Sequence, residues 1–83
     1  MISNEEDKRI AKAAIHETEK AFYNKEVSLK SLARKFNMSW GGFHRVISCV
    51  NRPRLENYLA LCRESGLDPV ETLKKVIDEN ATS

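Results

Sequence analysis

Residues 28–48 read SLKSLARKFNMSWGGFHRVIS, and they constrain the fold more than any other stretch of the chain. Leu32, Ala33 and Phe36 recur at spacings of three and four, which places them on one side of a helix. Met38 follows just after that helix breaks. Phe43, Val46 and Ile47 form a second stripe of the same period. Between the two lies Asn37, a residue that tolerates the left-handed conformation a tight helix–helix turn needs. Ser28 and Ser39 stand where N-caps belong, each with a hydroxyl that can accept from an orphan backbone N–H. Isolated helices shorter than ~12–15 residues are marginal in water. These two therefore need each other and a third element, and Ala33 is small enough to let them approach closely.

The rest of the chain supplies further helices. Residues 4–24 read as a first helix, with Ser3 and Glu6 as a capping box and Glu5, Glu6 and Asp7 at the positive end of its dipole. Its buried stripe is Ile10, Ala11, Ala14, Ile15, Thr18, Ala21 and Phe22. Pro53 forbids continuation of the second motif helix and biases Arg52 to an extended conformation. Arg54 opens a fourth helix with Leu55, Tyr58, Leu59 and Cys62 inward, and Gly66 stops it. Asp68 and Glu71 box the start of a fifth helix, about 69–79, with Pro69 at its first position. Val70, Leu73, Val76 and Ile77 share one side of it, and residues 80–83 are expected to fray. The pattern predicts an all-α chain of about five helices forming a single domain over residues 1–83.

The apolar and small residues just named carry a resemblance. Ala33 in mid-helix, with Leu32, Phe36, Met38, Phe43 and Val46 around it, resembles the helix-turn-helix of phage repressor and Cro-type regulators, the lambda-repressor-like family. The likeness continues through VNRPRLENYLALCRESGLDPVETL and so covers about residues 28–73. Where the family usually has Gly in the turn, this chain has Asn37, a departure with the same backbone capability. The resemblance implies a small five-helix DNA-binding domain whose helix-turn-helix core is 28–48. It also implies a homodimer on an inverted-repeat operator.

Charge gives an independent line. Between residues 28 and 54 the chain holds Lys30, Arg34, Lys35, Arg45, Arg52 and Arg54 and no acid, a window of +6 in a chain whose net charge is only +2. A basic solvated face looks the same in sequence. Its coincidence with the motif is what points to a polyanion, duplex DNA above all.

On the second motif helix, Phe43, Val46, Ile47 and Val50 face the core, and Trp40, Gly41, His44, Arg45 and Ser48 face away. By the resemblance, Trp40, Gly41, Gly42, His44 and Arg45 are the base-reading candidates. Arg45 leads, because its fork matches the two acceptors of guanine; its other role is a phosphate contact. His44 either meets a base or phosphate or simply faces solvent. Trp40 either stacks on a sugar or thymine methyl or covers core beside the turn. Gly41 and Gly42 replace the polar side chains usual in the family, and one account of them is close approach of the backbone to the groove. Phosphate candidates are Ser28, Lys30, Arg34, Ser39, Ser48, Asn51, Arg52 and Arg54, with Lys35 turned instead to solvent. Val70, Leu73 and Ile77 either close the core or form a dimer interface.

Other chemistry finds little footing. His16 and His44 pair with neither Cys49 nor Cys62 at zinc-ligand spacing, so no metal and no cofactor is expected. Pairing of Cys49 with Cys62 is not expected in a reducing cytoplasm. Gly41-Gly42 lacks the Walker lysine, no Ser-His-acid arrangement is visible, and no enzyme activity is expected. No apolar run approaches the ~20 residues of a membrane span, and the acidic, polar start predicts no secretory signal. The reading is a cytoplasmic, nucleoid-associated transcriptional regulator of a phage or bacterium. It would be a repressor with duplex DNA as partner and no small-molecule ligand. The rival is a protein-interaction module on the same fold, an antitoxin or an inhibitor of a host protein.

Overall fold

Most helices in this chain begin where a short polar side chain holds a free N–H, and the first four end where the backbone turns left-handed. The computed structural model describes residues 4–49 and 53–81. It contains α1 (Glu5–Asn24), α2 (Leu29–Lys35), α3 (Trp40–Ile47), α4 (Leu55–Ser65) and α5 (Pro69–Ala81), and no strand among the described residues. The chain is all-α.

The caps can be traced residue by residue. Ser28 Oγ accepts from Ser31 N at 3.4 Å, and Ser39 Oγ accepts from Gly42 N at 3.1 Å. Asp68 Oδ1 accepts from both Val70 N and Glu71 N, at 2.9 and 3.0 Å. At α1 the cap is Asn4, whose Oδ1 accepts from Glu6 N at 2.8 Å. Ser3, expected in that role, lies outside the described residues, and Asn4 serves because its carboxamide reaches the same orphan donors. Arg54 precedes α4 with no side-chain cap. α5 continues through Ala81, and Asn80 Nδ2 donates to Val76 O at 2.8 Å, so the fraying expected at residue 80 does not occur there.

Four helices end at a left-handed residue: Glu26 (φ 59°), Asn37 (φ 59°), Cys49 (φ 53°) and Gly66 (φ 80°). Beyond three of them the next N–H reaches back to a carbonyl in the last turn, Val27 to Phe22, Met38 to Ala33 and Leu67 to Cys62, at 2.9, 2.8 and 3.0 Å. These are Schellman closures. Only Gly66 adopts this conformation without a side-chain penalty. Glu26 is exposed and carries the penalty. Glu26→Gly is therefore expected to stabilise the protein by about 0.5–1 kcal/mol, read as a higher midpoint in urea unfolding at unchanged slope.

The core gathers around α1. Ala14, Ile15, Thr18 and Phe22 are its buried face, and it packs against α3, α4 and α5. Ile10, Ala11 and Ala21, also expected inward, are half-buried. Phe43 and Ile47 enter from α3, Leu32 and Ala33 from α2, and Val76 from α5. The two fully buried hydroxyls are satisfied locally: Thr18 donates to Ile15 O at 2.6 Å and Ser65 to Cys62 O at 3.2 Å.

α4 departs from expectation. Its inward residues are Tyr58, Leu61, Cys62 and Ser65, whereas Leu55 and Leu59, expected inward, are 69% and 43% exposed. The helix offers two apolar stripes that share Tyr58 and Cys62, and tertiary contacts choose between them. Tyr58 reaches across to donate its hydroxyl to Pro69 O at 2.6 Å. Lys25 Nζ, from the end of α1, donates to Ser65 O at 2.6 Å and so closes the far end of α4. With both ends held, Leu61 and Ser65 turn inward and the first turn overhangs. Cys49 and Cys62 are separate buried free thiols, and burial raises both above the ordinary thiol range.

One ionic clamp joins the first helix to the last. Glu17 takes Lys20 at 2.6 Å and Lys75 at 2.7 Å. The hydrogen bond from Lys20, then that from Lys75, holds the Glu17 carboxyl below its ordinary value of 4.5. A lowered folded pKa contributes stability that is full above the ordinary value and is lost as pH falls through the folded one. Glu17→Gln is thus expected to destabilise the protein by less than ~1 kcal/mol near neutral pH. The difference from the parent should shrink as pH falls below the ordinary value and vanish once the Glu17 carboxyl is protonated in the folded protein, checked by thermal melts across the acid range.

Candidate nucleic-acid interface

Between the last residue of α2, Lys35, and the first of α3, Trp40, the chain turns in four residues, 36–39. The left-handed Asn37 reverses the direction, and the Ser39 cap starts α3 immediately after. α3 is held from beneath by aromatic contact. Phe36 stacks on Phe43 with centroids 6.1 Å apart, and Trp40 leans on Phe43 at 6.4 Å. Buried Phe43 and Ile47, with half-buried Val46, fix which face of α3 looks outward.

That outward face carries Trp40, Gly41, His44, Arg45 and Ser48, all exposed as expected, while Gly42 is half-buried. Trp40, His44 and Ser48 form one row at intervals of four. The Trp40 and His44 rings are 5.7 Å apart, and His44 Nε2 lies 3.4 Å from Ser48 Oγ. Trp40 lies against Phe43 beside the turn, and 42% of the residue stays open. Arg45 begins a neighbouring row, four residues after Gly41. It borders an open cleft of about 690 Å³ between α3 and the start of α4, where Met38, Val46, Arg54 and Asn57 are its neighbours.

The six cations of the basic window divide. Lys35 does not point to free solvent: its Nζ lies 2.6 Å from Glu64 on α4, a carboxylate with only 18% of its side chain exposed. Arg54 pairs at 3.6 Å with Glu56, both largely exposed, a contact of small energetic weight. Lys30, Arg34 and Arg45 are exposed and have no acidic partner among the described residues. Arg52, Asn51 and the expected core residue Val50 lie outside the described residues. Ser28 and Ser39 use their oxygens to accept from the helix backbone. The hydroxyl hydrogen of each stays available to donate.

The two glycines differ, a point that composition alone does not reveal. A Cβ on Gly42 would come within 3.2 Å of Ser39 Oγ, the group that caps its own N–H, whereas a Cβ on Gly41 would meet nothing within 4 Å. A glycine in a helix costs up to ~1 kcal/mol relative to alanine. At Gly42 the cap offsets that; at Gly41 nothing inside the chain does.

Elsewhere, Val70 is 72% exposed and Ile77 43% exposed, seven residues apart on α5, while Leu73 between them packs partly on the core. No group of three or more His, Cys, Asp or Glu among the described residues is placed to hold a metal ion. No described helix is long and apolar enough to cross a membrane. Comparison with protein-family models, with characterised proteins and with solved structures finds no match for this chain. The class that its fold and outer surface define is an all-α chain, with five helices among the described residues and a basic, aromatic-bearing short helix on its exterior.

Proposed function

We propose that this chain is a lambda-repressor-like helix-turn-helix regulator that binds duplex DNA sequence-specifically in the cytoplasm of a phage host or bacterium. It acts as a repressor by occupying a promoter. The observation that carries the proposal is the outer face of α3: Trp40, His44 and Arg45 stand exposed on a helix pinned from below, and Lys30, Arg34 and Arg45 have no acidic partner among the described residues. A helix so held can enter a major groove as one piece, with Arg45 toward a base edge and α2 against the backbone. Ser28, Lys30, Arg34 and Ser39 would position the helix through phosphates, and Ser48, Asn51, Arg52 and Arg54 would do so from its other end.

Homodimerisation through α5 belongs to the same proposal. Val70 and Ile77 expose more apolar surface than closing the core requires, and a second copy would cover it. Each copy would then read one half of an inverted repeat.

The test is selection from a random duplex library at near-physiological salt. An inverted repeat with half-sites about one helical turn apart is the expected result. Recovery of no motif, with weak binding that fades as salt rises, would overturn it. In that case half-exposed Trp40 would favour the other class of function, a protein-interaction module with this ring as its anchor.

A further inference from the structure

We infer that Gly41 is where the main chain of this protein comes closest to DNA, and that its bare Cα sets how deeply α3 enters the groove. The inference rests on the DNA-binding reading and adds a residue that determines the fit. Gly41 has ordinary helical backbone, since Gly66 is the only glycine with positive φ among the described residues. The space around its missing Cβ is empty, so the fold itself would accept alanine there. Alanine is the better helix former, which leaves the folded chain with no internal reason for glycine at this position. Gly42 supplies the contrast, because its Cβ would crowd the Ser39 cap at 3.2 Å.

The requirement at Gly41 therefore comes from outside the chain. On the helix surface its neighbours are His44 and Arg45, three and four residues on, and Trp40 precedes it. Trp40 and His44 hold their rings against each other at 5.7 Å, and a Cβ on Gly41 would not meet the His44 ring within 4 Å. The surface thus has a floor of bare backbone between an aromatic row and Arg45. A groove wall pressed against the helix can approach its backbone there. A methyl group there would hold the helix off by its own radius and draw Arg45 back from whatever it reaches.

The experiment compares wild type with Gly41→Ala and Gly42→Ala, measuring thermal melting and affinity for the selected duplex. Gly41→Ala should melt about 4 °C higher and yet bind about tenfold more weakly, the size of one lost base contact. Gly42→Ala should gain less stability than Gly41→Ala, because its methyl crowds the Ser39 cap. A Gly41→Ala protein that is more stable and binds as tightly as wild type would overturn the assignment while leaving DNA binding intact. A Gly41→Ala protein that melts lower would overturn it too, since the fold would then need the glycine. Wild type that selects no duplex at all removes the DNA-binding reading and this inference with it.

Discussion

Arg45→Ala is expected to weaken binding to the selected duplex by about 10- to 100-fold and to relax preference at one base pair per half-site. The melting temperature should stay within about a degree or two of wild type, because surface changes away from caps and core shift stability little. The reasoning is geometric. Arg45 is exposed on α3, has no acidic partner among the described residues, and borders open space in the cleft beside α4. Among the described residues, its guanidinium thus holds no ion pair that binding would have to break. The relaxation of preference is the informative part. If Arg45 touches only phosphate, the loss will be the same on every sequence and the salt slope will fall by about one. Electrophoretic or fluorescence titrations on matched and single-mismatch duplexes at two salt concentrations separate the two outcomes.

Phe43→Ala is expected to bring the protein to the edge of unfolding. Phe43 is 1% exposed, stacks with Phe36 and supports Trp40, so its ring joins the turn, α3 and the core. Emptying such a site costs about 3–5 kcal/mol. A domain of this length has only about 4–12 kcal/mol in total, at 0.05–0.15 kcal/mol per residue. Calorimetry should show a melting transition lowered by more than about 10 °C. DNA binding should fall in proportion to the folded fraction, unlike Arg45→Ala, where the fold stays and binding goes. Phe43→Leu, which keeps most of the volume, should retain both.

The parts of this molecule that could be read in the sequence are those fixed by neighbours a few residues away. Ser28, Ser39 and Asp68 cap the helices they precede, Asn37 turns left-handed, and Gly66 ends α4, all through contacts within one turn. The outward set on α3 followed from its period alone. What stayed hidden depends on distant partners. Leu55 and Leu59 belong to an apolar stripe as credible as the one α4 uses, and the choice is made by packing on α1 and α5, with Tyr58 bonded to Pro69 and Lys25 to Ser65. Lys35 looked like a free cation because its acid, Glu64, lies on another helix. Glu26 and Cys49 adopt left-handed backbone without the glycine or asparagine that announces it. Gly41 and Gly42 are identical in sequence and opposite in circumstance, since only Gly42 has a cap beneath it.

Trp40 is the only tryptophan in the chain. It sits at the first position of the outward-facing helix, half open to water, with no competing indole anywhere in the core. Its emission therefore reports on that surface. A ligand covering α3 would exclude water from the ring or stack on it, shifting or quenching the signal. The protein carries its own probe at the place where contact is expected, and an unlabelled sample in a fluorimeter is enough to follow it.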